Sequence, residues 1–197
     1  MGSSVSNRES KVSTAKFQLN ANVKVIDDDD HEVTPGSGNI GMIATQSAML
    51  GYYKDPEKTA KTVREIEGVR YVFPGDYAQV ESDGSITLLG RGSMCINTAG
   101  EKVFPEEVEE VIKRHDEVMD TLVVGVPDDR FGERVVAFVS HQGELDEPAL
   151  IMFCRERIAA YKLPKNVVLI DRVQRAPNGK ADYKWAKATA LAALGLS

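Results

Sequence analysis

An α+β fold is predicted for this chain: a small C-terminal α+β domain, with a three-stranded sheet and helices, preceded by a β-rich, barrel-like segment. Three observations predict it. Between residues 23 and 91 the sequence is a series of short β-type runs punctuated by Gly, Pro and Asp turns. From residue 92 it changes to capped helical stripes alternating with longer apolar β-runs. The change falls at Arg91-Gly92-Ser93, which divides the 197 residues into segments 1–91 and 92–197.

Residues 1–20 are rich in Ser, Asn and Lys without apolar periodicity, so an irregular lead-in is expected there. The opening Met1-Gly2-Ser3-Ser4-Val5-Ser6 fits an N-myristoylation pattern, but the pattern is loose and is set aside. Residues 23–26 and 40–44 are predicted strands on either side of an acidic, Gly/Pro-rich turn. Asp55 followed by Pro56 predicts a short helix with N-cap and first-turn proline in place. Residues 77–81 and 85–89, joined through Asp83-Gly84, predict a hairpin.

Beyond the boundary, residues 105–115 predict a helix. Pro105 suits its first position, glutamates fill its first turn, and Lys113, Arg114 and His115 its last, which matches the helix dipole at both ends. Val108, Val111 and Ile112 form its buried stripe. Residues 118–126 and 134–140 are β-rich, and 166–170 give a third strand. Asp146 caps a helix whose Leu150, Ile151, Cys154 and Ile158 face inward and which ends before Leu163-Pro164; Asp182 caps a final helix carrying Trp185.

The net charge of −6, from 24 basic and 30 acidic residues interspersed along the chain, argues against nucleic acid or an anionic membrane as partner. Cys95 and Cys154 sit far apart, with no Cys-x-x-Cys and no His/Cys cluster, so a reducing cytoplasmic setting and no metal site are expected. No apolar run reaches the length of a membrane span, and no secretory leader pattern is visible. The run from Asp27 to Asp30 fits a solvated turn better than a cation site, because four consecutive side chains diverge. His31, His115 and His141 are isolated and receive no ligand or base role.

Four phrases carry the chemistry. In Arg175-Ala176-Pro177-Asn178-Gly179-Lys180, proline fixes φ and Asn-Gly supplies a tight turn, so Lys180 is held out on a short, stiff loop. Such a cation suits a phosphate or carboxylate, although a surface turn ending in lysine reads the same when taken alone. Upstream lie Pro74-Gly75-Asp76-Tyr77, then Leu89-Gly90-Arg91-Gly92, then Asn97-Thr98-Ala99-Gly100-Glu101-Lys102-Val103-Phe104-Pro105-Glu106-Glu107-Val108-Glu109. In this order the four resemble the C-terminal motifs of the adenylate-forming superfamily, which includes acyl-CoA synthetases, luciferases and nonribosomal peptide adenylation domains. The resemblance runs from about Val23 to the end of the chain. That superfamily also has a Ser/Thr/Gly-rich phosphate loop ending in Lys-Gly and a later Tyr-Gly-x-Thr-Glu-like segment. Neither occurs here, so the resemblance implies the last third of a larger enzyme: 1–91 closes the large N-terminal domain, 92–197 is its mobile lid, and the piece alone is inactive.

The resemblance also implies roles. Adenylation joins two anions, ATP and a carboxylate, and Lys180 matches the catalytic lysine that neutralises them. Asp76 matches the aspartate that accepts from both ribose hydroxyls, and Arg91 an arginine that touches the nucleotide sugar. Gly100 matches the glycine that lets the pantetheine arm of CoA pass close to the backbone, and Lys102 lies where basic residues meet CoA phosphates. Ser93 stands at the hinge, where Asp or Lys is usual, and Pro74-Gly75 replaces the usual Thr-Gly. Each residue has a plain structural account beside this one: a turn aspartate, a surface arginine at a domain edge, a left-handed turn glycine, a solvated lysine. With both departures, the chain is most similar to the actinobacterial fatty-acyl and sterol-side-chain acyl-CoA synthetases. ATP, Mg2+, CoA and a fatty or sterol-derived carboxylic acid are the implied small molecules. Two other functions stay open at this point: a non-catalytic nucleotide- or protein-binding module, and an adenylation domain serving a carrier protein.

Overall fold

The structure, a computed structural model, describes residues 16–18 and 20–196. Of the expected lead-in, residues 16–18 form a strand, and the stretch 1–15 with its acylation-like hexapeptide lies outside the described residues. The chain divides into two compact units between Leu88 and Leu89.

The first unit is a β-sheet with one short helix. Its elements are β1 (Lys16–Gln18), β2 (Val23–Ile26), β3 (Ile40–Gln46), α1 (Pro56–Thr62), β4 (Val63–Ile66), β5 (Val69–Val72), β6 (Asp76–Val80) and β7 (Ser85–Arg91). The seven strands run β1-β7-β6-β3-β5-β4, with β2 also on β3, so the sheet is open where a barrel-like form was expected. The acidic run is a turn: Asp27 accepts from the N–H groups of Asp29 and His31, and Asp30 pairs with Arg64 at 2.8 Å. Asp55 caps α1 by accepting from the Lys58 N–H at 2.9 Å. The β4–β5 hairpin has no counterpart in the sequence reading. It turns on Glu67 and Gly68, both at positive φ, and glutamate is not a residue that advertises such a turn.

The second unit contains β8 (Ile96–Thr98), β9 (Glu101–Val103), α2 (Pro105–Ile112), β10 (Val118–Asp128), β11 (Gly132–His141), α3 (Glu147–Arg155), β12 (Asn166–Ile170) and α4 (Tyr183–Ala193). Its sheet has five strands instead of the expected three, in the order β10-β11-β8-β9 with β12 parallel to β11. The two extra strands are three residues each, too short for alternation to register. β10 and β11 are buried on both faces, hence their near-continuous apolar runs. Val123, Val135, Ala137 and Val139 join the core that includes residues of α2 and α3. Leu122, Val124, Val136 and Phe138 join Ala186 and Ala190 of α4. Helix α2 stops at Ile112, with Lys113 as its C-cap, so the basic residues expected in its last turn follow it instead.

Candidate functional site

The segment between β12 and α4 presents Lys180. Val173 is buried in the α4-side core, and Asp182 caps α4 by accepting from the Trp185 N–H at 3.0 Å. Between these anchors, Arg175 and Ala181 form a single antiparallel bridge. The Gly179 N–H donates to the Ala176 carbonyl at 2.8 Å, and the Ala176 N–H donates to the Lys180 carbonyl at 2.9 Å. Gly179 has φ +78°, a conformation glycine adopts without strain. The Asn178 side chain accepts from the Lys180 N–H at 3.1 Å. Asparagine and glycine thus each perform the turn function their positions suggest, and Lys180 stands exposed at the closing end of the hairpin.

At the base of this loop Arg175 makes a two-pronged pair with Asp120 of β10, Nε to Oδ2 at 2.8 Å and Nη2 to Oδ1 at 2.6 Å. Lys113 Nζ lies 3.6 Å from the same Oδ1, and the Thr121 N–H donates to it at 2.9 Å. Burial is the largest influence on the Asp120 carboxyl and acts to raise it, yet the Arg175 hydrogen bonds and the Lys113 charge together hold it below the ordinary carboxylate range.

Just past Lys180, Tyr183 opens α4 and donates its hydroxyl to Glu109 Oε2 at 3.5 Å. The other oxygen of Glu109 accepts the Val123 N–H at 2.9 Å. β10 is an end strand, so this carboxylate serves where a neighbouring strand would otherwise accept. Glu109 is only 6% exposed. Burial pushes its carboxyl up to about 7, against the pull of the Val123 hydrogen bond and of Lys113. Burial, with the Glu109 charge, likewise pushes the Tyr183 hydroxyl up.

Gly100 and Lys102 lie on a different hairpin. Ala99 and Gly100 form the β8–β9 turn at φ +52° and +86°. Gly100 is exposed, and a Cβ placed on it would meet nothing of this chain within 4 Å. Its backbone angle, and not crowding, is what calls for glycine. Lys102 is half-buried opposite Asn97, and its charge draws the Cys95 thiol down against a larger upward push from burial. In the phrase around Arg91, Gly90 has φ +144°, a backbone angle that favours glycine, and a Cβ placed on it would require the flexible Glu106 carboxylate to shift. Arg91 and Ser93 are exposed, Ser93 within the 3-10 turn Gly92–Met94. Asp76, in the first unit, opens β6 half-buried behind Gly75, whose φ is +91°.

Residues 107–180 match the family model of the AMP-binding enzyme C-terminal domain, a span that ends on Lys180. The chain is 53% identical over 175 residues to the 3-oxocholest-4-en-26-oate–CoA ligase of Rhodococcus rhodochrous, covering 86% of this chain and 31% of the relative. It is 51% identical over 187 residues to the medium/long-chain-fatty-acid–CoA/3-oxocholest-4-en-26-oate–CoA ligase of Mycolicibacterium smegmatis, covering 93% and 34%. The chain belongs to the adenylate-forming enzymes. Among their solved structures, ATP-bound MatB from Rhodopseudomonas palustris superimposes with a TM-score of 0.72 at 30% identity, covering 85% of this chain and 33% of that one. The chain spans about a third of the length of the curated relatives it matches.

Within this adenylate-forming enzyme segment, sequence reading missed Asp120, Glu109 and Tyr183. The Asp120–Arg175 pair joins residues 55 positions apart, which no local pattern reveals. Glu109 did leave a signal: with Pro105, Val108 and Ile112 it occupies one helical face, and a carboxylate on such a stripe is out of place unless something meets it. Among the described residues, no helix is long and apolar enough to cross a membrane, and no group of three or more His, Cys, Asp or Glu could hold a metal ion.

Proposed function

We propose that this chain supplies the C-terminal portion of an ATP-dependent acyl-CoA synthetase acting on a fatty or steroid-side-chain carboxylic acid. The observation that carries this reading is Lys180, exposed on a hairpin with anchored ends. In the first half-reaction the substrate carboxylate attacks the α-phosphorus of Mg2+-bound ATP, pyrophosphate leaves, and an acyl-adenylate forms. Lys180 neutralises charge where the two anions meet. Asp76 accepts hydrogen bonds from the ribose hydroxyls, and Arg91 contacts the same sugar. In the second half-reaction the CoA thiolate attacks the acyl carbonyl and AMP leaves. The open backbone at Gly100 lies along the path of the pantetheine arm, and Lys102 meets the CoA phosphates. Ser93 is the point about which the lid turns between the two. The triphosphate loop and the acyl pocket belong to an N-terminal domain, the partner this segment requires. The steroid and fatty acyl classes come from the names of the relatives at 51–53% identity. A cytoplasmic setting accords with two free thiols, Cys95 and Cys154.

The test is pyrophosphate release from ATP and a panel of fatty and steroid-side-chain acids. The 197-residue chain alone is expected to release none, while the intact enzyme does so and loses at least about 100-fold with Lys180→Ala. Clear turnover by the chain alone, or an intact Lys180→Ala enzyme with undiminished release, contradicts the reading.

A further inference from the structure

We propose that Asp120 and Arg175 are positioning residues for the adenylation half-reaction: their two-pronged ion pair fixes the aim of the hairpin that carries Lys180. This rests on the reading of Lys180 given above.

Between β12 and α4 the loop has little ladder support. Arg175 and Ala181 share one isolated bridge, and the turn inside it closes through its own hydrogen bonds. The stretch from Arg172 to Lys180 is exposed except for Val173 and the half-buried Ala176. A turn of this kind keeps its internal shape but swings about its base unless the base is tied. Arg175 ties it. Its guanidinium engages both Asp120 oxygens at 2.6 and 2.8 Å, a geometry that fixes orientation as well as distance. The third nitrogen of the same group lies 3.5 Å from the Gly179 carbonyl, next to the lysine. Asp120 is itself fixed, because its Oδ1 also takes the Thr121 N–H and faces Lys113. The aspartate sits on an 11-residue strand whose next six residues are buried, so the loop is referenced to the core of the unit. A lysine in place of Arg175 keeps the charge but offers one point contact instead of two, so orientation is lost while attraction is kept.

Two measurements test this. The first uses the chain as it stands: amide hydrogen exchange at Ala176 and Gly179 in Arg175→Lys and Asp120→Asn, with thermal unfolding alongside. Exchange at both amides should quicken at least about tenfold while the global transition barely moves. The second uses the intact enzyme and separates the half-reactions. Pyrophosphate release should fall about 100-fold in either variant, whereas CoA thioester formation from supplied acyl-adenylate should stay within about threefold of the parent. If Asp120→Asn fails to fold, Asp120→Glu, which retains both oxygens, should restore more of the release than Arg175→Lys does. Unchanged exchange, or equal loss in both half-reactions, overturns the positioning role. Lys180→Ala separates the two claims. If it abolishes pyrophosphate release while the pair variants keep theirs, the positioning role fails and the adenylation reading stands. If it is harmless, the adenylation reading fails and reduces the pair to a structural tie.

Discussion

Two turns in this molecule share one hydrogen-bond scheme and differ in what they do with it. At Glu81-Ser82-Asp83-Gly84-Ser85, the Gly84 N–H donates to the Glu81 carbonyl at 2.9 Å and the Glu81 N–H to the Ser85 carbonyl at 2.8 Å. At Ala176-Pro177-Asn178-Gly179-Lys180 the same two bonds close, and both glycines have φ +78°. The Asp83 side chain accepts from the Ser85 N–H, as Asn178 does from Lys180. The residue after the glycine is a serine 2% exposed in one case and an exposed lysine in the other. The first turn joins two full strands, β6 and β7; the second is held by one bridge and the Arg175–Asp120 pair. Identical turn chemistry therefore makes scaffold where strands continue it, and a presenting loop where they do not.

The largest expected effect breaks this symmetry directly. Ser85→Lys buries a charge beside the β6–β7 turn and should cost about 3 kcal/mol or more in urea unfolding. Lys180→Ser, at the equivalent place, should stay within about 0.5 kcal/mol of the parent. Comparable losses at the two positions would mean that Lys180 has a structural duty.

Next in size is a pH effect on the end of the second turn, where Tyr183 meets Glu109. The carboxyl has an ordinary value of 4.5 and is pushed to about 7 in the fold by burial. A raised folded value means that the neutral form suits the fold. Stability from this group is complete below pH 4.5 and drains away as pH rises through 7, by roughly 3 kcal/mol at about 1.4 kcal/mol per unit. The groups acting on it are the Val123 N–H, Lys113, Glu106 and Tyr183. Glu109→Gln should flatten the slope between pH 5 and 8, read by chemical unfolding at several pH values. An unchanged slope would assign it to another group.

The smallest effect sharpens the comparison. A methyl on Gly84 or Gly179 meets nothing within 4 Å, so Gly→Ala at either position costs only the strain of positive φ, about 1–2 kcal/mol. Gly84→Ala should lower global stability by that amount. Gly179→Ala should spend most of it on local loop opening, seen as faster amide exchange and reduced pyrophosphate release with little change in the global transition.

The same contrast shows what could be read from the chain. Asp83-Gly84 and Asn178-Gly179 announce their turns because Asp, Asn and Gly bring local chemistry with them. The caps at Asp55, Asp146 and Asp182 announce themselves for the same reason, and each accepts the expected N–H. The hairpin at Glu67-Gly68 stayed hidden, and at Ala99-Gly100 only the turn glycine was legible, since glutamate and alanine at φ +51° and +52° follow from context instead of propensity. Of the site, the presented lysine and the Asp182 cap that anchors its far end were legible, while the Asp120 tie was not and Glu109 left only an indirect signal, because both matter through partners far along the chain.

On the function proposed above, Lys180 serves only the first half-reaction and the Gly100 turn only the second. The most direct measurement is of both half-reactions for Lys180→Ala and Gly100→Leu in the intact enzyme. Lys180→Ala should lose at least about 100-fold in acyl-adenylate formation and still convert supplied acyl-adenylate and CoA to thioester. Gly100→Leu should form acyl-adenylate and stall at transfer to CoA, because the side chain obstructs a path used only after the lid has turned. Equal damage to both half-reactions in each variant would contradict the division of labour between the two hairpins.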